Sequence, residues 1–212
     1  MPRHSYPRNR RVSRFTRLRA ILAGALVFGV GATATLASWN DSETATAGFT
    51  AGRFDIVGSV NGGAFGQHGP SAPAALNFPV PVAGMAPGTT SYALFSVKGS
   101  ATTVAGAVSL AAAATNATSG TGLGAFLTYG VTSIPSGSAG ACTATSFAAG
   151  ATVVAPGSPV TASQPAGVSL PLRAKGATQI NYCFAVTLPT TATNDAQGKS
   201  AAPVWTFNAV SS

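Results

Sequence analysis

The chain has 212 residues, 46% of them hydrophobic and only 8% charged, and a formal net charge of +8. Seven of its 12 cations (Arg3, Arg8, Arg10, Arg11, Arg14, Arg17 and Arg19) precede residue 20, and from Ser38 onward Arg53, Lys98, Arg173, Lys175 and Lys199 face Asp41, Glu43, Asp55 and Asp195, a net +1. A basic balance otherwise points to nucleic acid or an anionic membrane; here it belongs to the N-terminus alone, and a nucleic-acid function is rejected.

The first predicted element is an export signal. The Arg-rich start holds no acid, residues 20–37 (AILAGALVFGVGATATLA) are uncharged, and small residues close the run. A basic region, an apolar region and a small-residue cleavage site make a secretory signal peptide. The expected cut lies between Ala37 and Ser38, with Thr35 and Ala37 as the small residues; a cut after Ala34 is the alternative. A retained anchor is the competing reading, and it would make the uncleaved signal the only membrane contact. The apolar run is near the lower length limit for spanning a bilayer, and its second half is weakly apolar, which favours cleavage. Arg10-Arg11 is a poor twin-arginine signal, because Val12, Ser13 and Arg14 follow it. The expected organisation is a signal over 1–37, an N-terminal segment over 38–57 and a β-sandwich domain over 58–212. A signal peptidase is the expected partner during export.

The part beyond Ser38, about 175 residues, fits one domain. Its Ala, Gly, Thr, Ser, Val and Pro suit an all-β extracellular fold, and its low charge permits close association of copies. Alternation and β-branched or aromatic runs separated by Gly, Pro, Asn and Ser dominate. Residues 46–57 (TAGFTAGRFDIV) read as one strand or two, 60–75 as a loop, and 76–82 (LNFPVPV) as an extended edge, since Pro79 and Pro81 lack N–H donors. Ala86 to Thr89 is a turn. Residues 91–98 (SYALFSVK) alternate, with Tyr92, Leu94 and Ser96 opposite Ala93, Phe95 and Val97. Residues 102–110 are a further strand, and 111–114 (AAAA) are helix-compatible but too short to stand alone. Strands follow at 125–132, 151–154 and 168–172, with a loop over 134–141 leading to Cys142. The strongest strand is 178–188, with Ile180, Tyr182, Phe184 and Val186 on one face and Cys183, Ala185 and Thr187 on the other. After a polar loop, 204–210 (VWTFNAV) close the series with Trp205 and Phe207 on one face. Roughly eight to ten short strands predict a two-sheet sandwich or jelly roll.

Cys142 and Cys183 are the only cysteines. In an exported chain such a pair is read as a disulfide, closing a loop of about 40 residues worth roughly 4 kcal/mol. No CxxC or HExxH and no GxSxG is present. Beyond Ser38 there is one histidine, His68, in a Gly/Pro-rich loop, and one glutamate, Glu43. A catalytic triad, a zinc centre, a paired-carboxylate site and a calcium loop are all unsupported. Neither an enzyme nor a cofactor or metal is expected.

Residues 38–56 (SWNDSETATAGFTAGRFDI) resemble the export junction of the TasA/camelysin family of surface and biofilm-matrix proteins, through Trp39, Asn40, Asp41, Phe49, Ala51, Gly52, Phe54, Asp55 and Ile56. Residues 85–102 resemble that family's proline-glycine turn and following strand, with Lys98-Gly99 where many members have Lys-Asn. Residues 181–210 resemble the C-terminal region of actinobacterial members. The three segments cover under half of the chain. The resemblance implies export through a SipW-type signal peptidase and a jelly-roll-like sandwich. It also implies a homopolymer in which the freed N-terminal segment adds as a strand to the next copy. Trp39, Phe49, Phe54 and Ile56 would then be its anchors; the competing reading makes them the first strand of their own domain. An exported structural protein, fibre-forming as in some members of that family, is therefore expected. A monomeric secreted binding module or adhesin is the alternative. An enzyme comes third, because camelysin-like proteins have been labelled proteases, although the zinc motif is missing.

Overall fold

The computed structural model describes residues 14–33, 42–79, 84–114, 122–136 and 142–212, which fall into two compact units, Met1–Phe49 and Thr50–Ser212. In the first unit, α1 (Arg14–Thr33) takes in the end of the Arg-rich start and most of the apolar run. Its Phe15, Leu18, Ile21 and Leu22 are exposed. No described helix is long and apolar enough to cross a membrane. Residues 42–49 are exposed and carry no helix or strand. Ala37, Ser38 and Trp39 lie outside the described residues.

The second unit is an all-β sandwich. Among the described residues its strands are β1 (Ile56–Val60), β2 (Thr90–Gly99), β3 (Gly106–Ala114), β4 (Thr128–Ile134), β5 (Ala151–Pro159), β6 (Leu170–Leu172), β7 (Gln179–Thr187) and β8 (Val204–Ser211). They form a five-stranded sheet, β1-β2-β7-β4-β5, and a three-stranded sheet, β6-β3-β8. Every named pairing is antiparallel.

The inner faces follow from the alternation of large apolar residues. β7 and β2 meet in a register that sets Tyr182 opposite Phe95 and Phe184 opposite Ala93. Ile180, Tyr182, Phe184 and Val186 therefore point together at the second sheet. Trp205 and Phe207 of β8 answer them, with Phe207 4.8 Å from Tyr182 and 4.9 Å from Phe95, and Trp205 5.0 Å from Phe184, between ring centroids. Such ring pairs add to the area they bury. Val108 and Leu110 of β3 and Tyr129 and Val131 of β4 complete the centre, all nearly inaccessible to solvent.

The outer face of the five-stranded sheet is covered too. Leu94, Ile134 and Cys183 form a small second cluster with Cys142 and Phe147. Cys142 is bonded to Cys183, with their Cα atoms 5.2 Å apart. Helix α2 (Ala144–Ala149) follows directly, and Thr143 and Ser146 cap it reciprocally. Asn181, fully buried on this face, accepts from Ser96 Oγ and Gln179 Nε2 and donates to the Pro135 carbonyl.

Several sequence expectations change. Within 46–57 only Ile56 onward is strand; residues 46–52 are small apart from Phe49, which is exposed. Residues 76–79 form no strand, and 80–82 lie outside the described residues. The helix-compatible 111–114 run continues β3: Ala111 pairs with Thr206 and Ala114 with Val204, a ladder that one helical turn cannot match. β5 runs on through Pro156 to Pro159, which its place at the sheet edge permits. The short α2 is new.

Two inner tyrosines make stability sensitive to alkali. Tyr129 donates its hydroxyl to the Ala162 carbonyl, and burial pushes its pKa from 10.0 up to about 12, against a smaller opposing effect of Trp205. Burial alone raises Tyr182, whose hydroxyl has no partner among the described residues. A phenol raised in the folded state keeps its proton while the unfolded chain loses its own. Its contribution is complete below the unfolded value and is lost as pH rises through the folded one. Stability is therefore expected to fall progressively above about pH 10, and phenolate absorbance from these two residues to appear together with unfolding. Ultraviolet titration followed in parallel with circular dichroism checks this; phenolate appearing well before unfolding would contradict it.

Candidate functional site

Strand β8 (VWTFNAVS) alternates fully, with Trp205, Phe207 and Ala209 half-buried and Val204, Thr206, Asn208 and Val210 exposed. One long side of it is paired with β3; on the other, no described strand pairs with it. The Ser212 amide donates to the Ala105 carbonyl and Val210 lies opposite Ala107. By the twofold period of a strand, Val210, Asn208 and Thr206 direct their backbone groups to β3. Trp205, Phe207, Ala209 and Ser211 direct theirs to the open side. A row of this kind is a template for one further strand.

Beside that open side lies an apolar groove of about 1100 Å³ between the two sheets. Trp205 and Phe207 of β8, Phe95 and Val97 of β2, and Phe78 and Met85 are among the residues that line it. Phe78 sits 6.5 Å from Trp205, and its neighbour Pro79 accepts from Ser91 Oγ. The Trp205 indole N–H is buried without an acceptor among the described residues.

The anchor candidates separate in the structure. Ile56 opens β1 and pairs with Gly99 of the same chain. Phe54 packs its ring against Gly106, so tightly that a Cβ there would collide with the ring and with the Val210 carbonyl. Arg53 bridges Thr103, and the Asp55 amide donates to the Thr103 hydroxyl oxygen. Phe49 is 95% exposed. Trp39 lies outside the described residues. Of the four, Phe54 and Ile56 are engaged within their own domain, and Phe49 alone is shown free.

Charge is unevenly spread. Lys98 ends β2 over the Phe65 ring, Arg173 follows β6, the Lys175 amide donates to the Thr103 carbonyl, and Arg53 bridges the same residue. All four lie where β2 ends and β3 begins, beside the C-terminal end of β8, because Gly106 pairs with both Leu172 and Ser211. Asp55 is the acid there, 3.8 Å from Arg53 and held by Gln67. Asp195 and Lys199 sit in the loop at the opposite end.

Groups for chemistry do not converge. His68 lies beside Phe95, 6.5 Å between ring centroids, and Glu43 is exposed. Among the described residues no three His, Cys, Asp or Glu side chains group as metal ligands. No protein-family model matches the chain, and no curated protein matches it.

Alternation places Trp205 and Phe207 on one face of a strand, but no local signal shows that no described strand pairs with the side of β8 away from β3. Phe78 and Met85 were read only as parts of an edge and a turn, and no local signal places them at a groove.

Proposed function

We propose that this protein is an exported, non-enzymatic structural component of the cell surface or extracellular matrix, which polymerises by adding its N-terminal segment to the β8 edge of the next copy. The observation that carries this reading is the open side of β8 with an apolar groove alongside it. Strand addition uses such an edge for backbone bonds and such pockets for alternate side chains.

The strand order supports a jelly roll with one strand displaced. An eight-stranded jelly roll has sheets ordered 1-8-3-6 and 2-7-4-5. The orders β2-β7-β4-β5 and β8-β3-β6 are present, whereas β1 lies beside β2 and no described strand takes the place beside β8. Residues 42–49, exposed and without helix or strand, match the eight residues of β8 in length. Export is supported by the Arg-rich start, by the apolar run in α1, and by a disulfide of the kind that persists in oxidising compartments. The family resemblance at residues 38–56 agrees with this reading.

A second reading has one observation in its favour. The groove's size reaches that of small-molecule sites, about 300–1,000 Å³, so a monomeric binding module would hold an apolar ligand there.

The deciding experiment compares protein starting at Ser38 with protein starting at Thr50, which keeps β1 intact. Electron microscopy and light scattering are expected to show filaments for the longer form and monomers for the shorter. Monomers from both forms would overturn assembly and leave the binding module.

A further inference from the structure

The strand-addition reading leaves the direction of the incoming strand open, and the distribution of charge decides it. Beyond the predicted cut, the residues ahead of Phe49 carry Asp41 and Glu43 and no cationic side chain. The receiving domain gathers Arg53, Lys98, Arg173 and Lys175 at the C-terminal end of β8, with Asp55 the one acidic side chain described there. The other end of the groove holds no such excess: among the described residues Lys199, its ammonium over the Phe126 ring, shares that loop with Asp195.

Resting on that reading, we propose that the basic end of the sandwich receives the acidic segment of a second copy, so that the incoming strand runs antiparallel to β8 with Glu43 near Ser211 and Phe49 near Trp205. In this direction opposite charges meet at one end while the exposed Phe49 ring reaches the aromatic wall at the other. The reverse direction would bring Asp41 and Glu43 to the Asp195 end and leave the cations unanswered. The antiparallel arrangement also matches every other pairing in the three-stranded sheet. It places the donor's domain beyond the N-terminal end of β8, so its own basic end faces the acceptor's opposite end. Such a contact is head to tail and repeats without closing.

Rim charges of this kind act mainly on encounter rate and salt dependence. Protein starting at Ser38 is the probe. Its elongation rate, followed by light scattering, is expected to fall about tenfold between roughly 0.02 and 0.5 M salt. Arg173→Glu with Lys175→Glu, both at exposed positions, is expected to slow elongation about tenfold at low salt, as is Asp41→Lys with Glu43→Lys. Combining all four in one chain is expected to restore the rate to within about twofold. Direction is read by oxidative cross-linking: Ser42→Cys with Ser212→Cys, which stand opposite one another in this register, is expected to link neighbouring copies, and Phe49→Cys with Ser211→Cys is not.

Elongation indifferent to salt and to both charge reversals would overturn the inference while leaving strand addition standing. Cross-linking through the Phe49 pair instead would overturn the direction. Absence of any filament from the unaltered protein would overturn strand addition itself, and the inference with it.

Discussion

Replacing Phe184 with alanine is expected to lower the stability of the sandwich by about 3–5 kcal/mol, at least a fifth and as much as the whole of an ordinary domain's margin of about 5–15 kcal/mol. Phe184 is fully buried at the middle of β7. Its strand lies between β2 and β4, and its ring meets Trp205 and Phe207 across the sheets. Removing it takes away both transfer energy and the packing partner of two other rings, and the paired strands on either side hold the space open. Urea denaturation measures the loss. Phe49→Ala is the contrasting case. At 95% exposure its ring rests on nothing in its own domain, so stability is expected to change by no more than about 0.5 kcal/mol. On the strand addition proposed above, the two phenylalanines separate folding from assembly: of the two, only position 49 is expected to lose filaments with unchanged stability. A stability loss below about 1 kcal/mol for Phe184→Ala would contradict the packing described here.

The second large effect is expected at the disulfide. Cys142 and Cys183 are separated by 41 residues, and a bridge closing a loop of that length restricts the unfolded chain by about 4 kcal/mol. The double substitution Cys142→Ser/Cys183→Ser is expected to lose an amount of that order, and reduction of the unaltered protein to lose the same. The bond fastens the start of α2 to the outer face of β7, over a cluster that has few other buried members. The outer layer is therefore expected to exchange its amides first once the bond is gone, while the inner strands keep their protection. Hydrogen exchange on oxidised and reduced protein checks this, and equal protection in both would contradict it.

The legible parts of this fold were those whose patterns are local. The two faces of β7 and β2 follow from alternation of large residues, since Ile180, Tyr182, Phe184 and Val186 have one environment and Cys183 another. The turn at Ala86 to Thr89 follows from Pro87 and Gly88, the latter at φ 87°. Parts that depend on distant partners were not legible. Four alanines become strand because β8 lies beside them. Pro156 remains in β5 because only one side of that strand is paired. The open side of β8 depends on β1 choosing β2, which no residue in either strand announces alone.

Strand order also governs how quickly the sandwich forms. β7 must find β2 across nearly ninety residues and β8 must find β3 across about a hundred, while the hairpin-like β4–β5 pair is the main local exception. Topologies this rich in distant contacts fold in milliseconds to seconds rather than microseconds. The centre cannot close until the eighth strand is present, because Trp205 and Phe207 form one side of it. A nascent chain therefore keeps its core open until β8 has emerged.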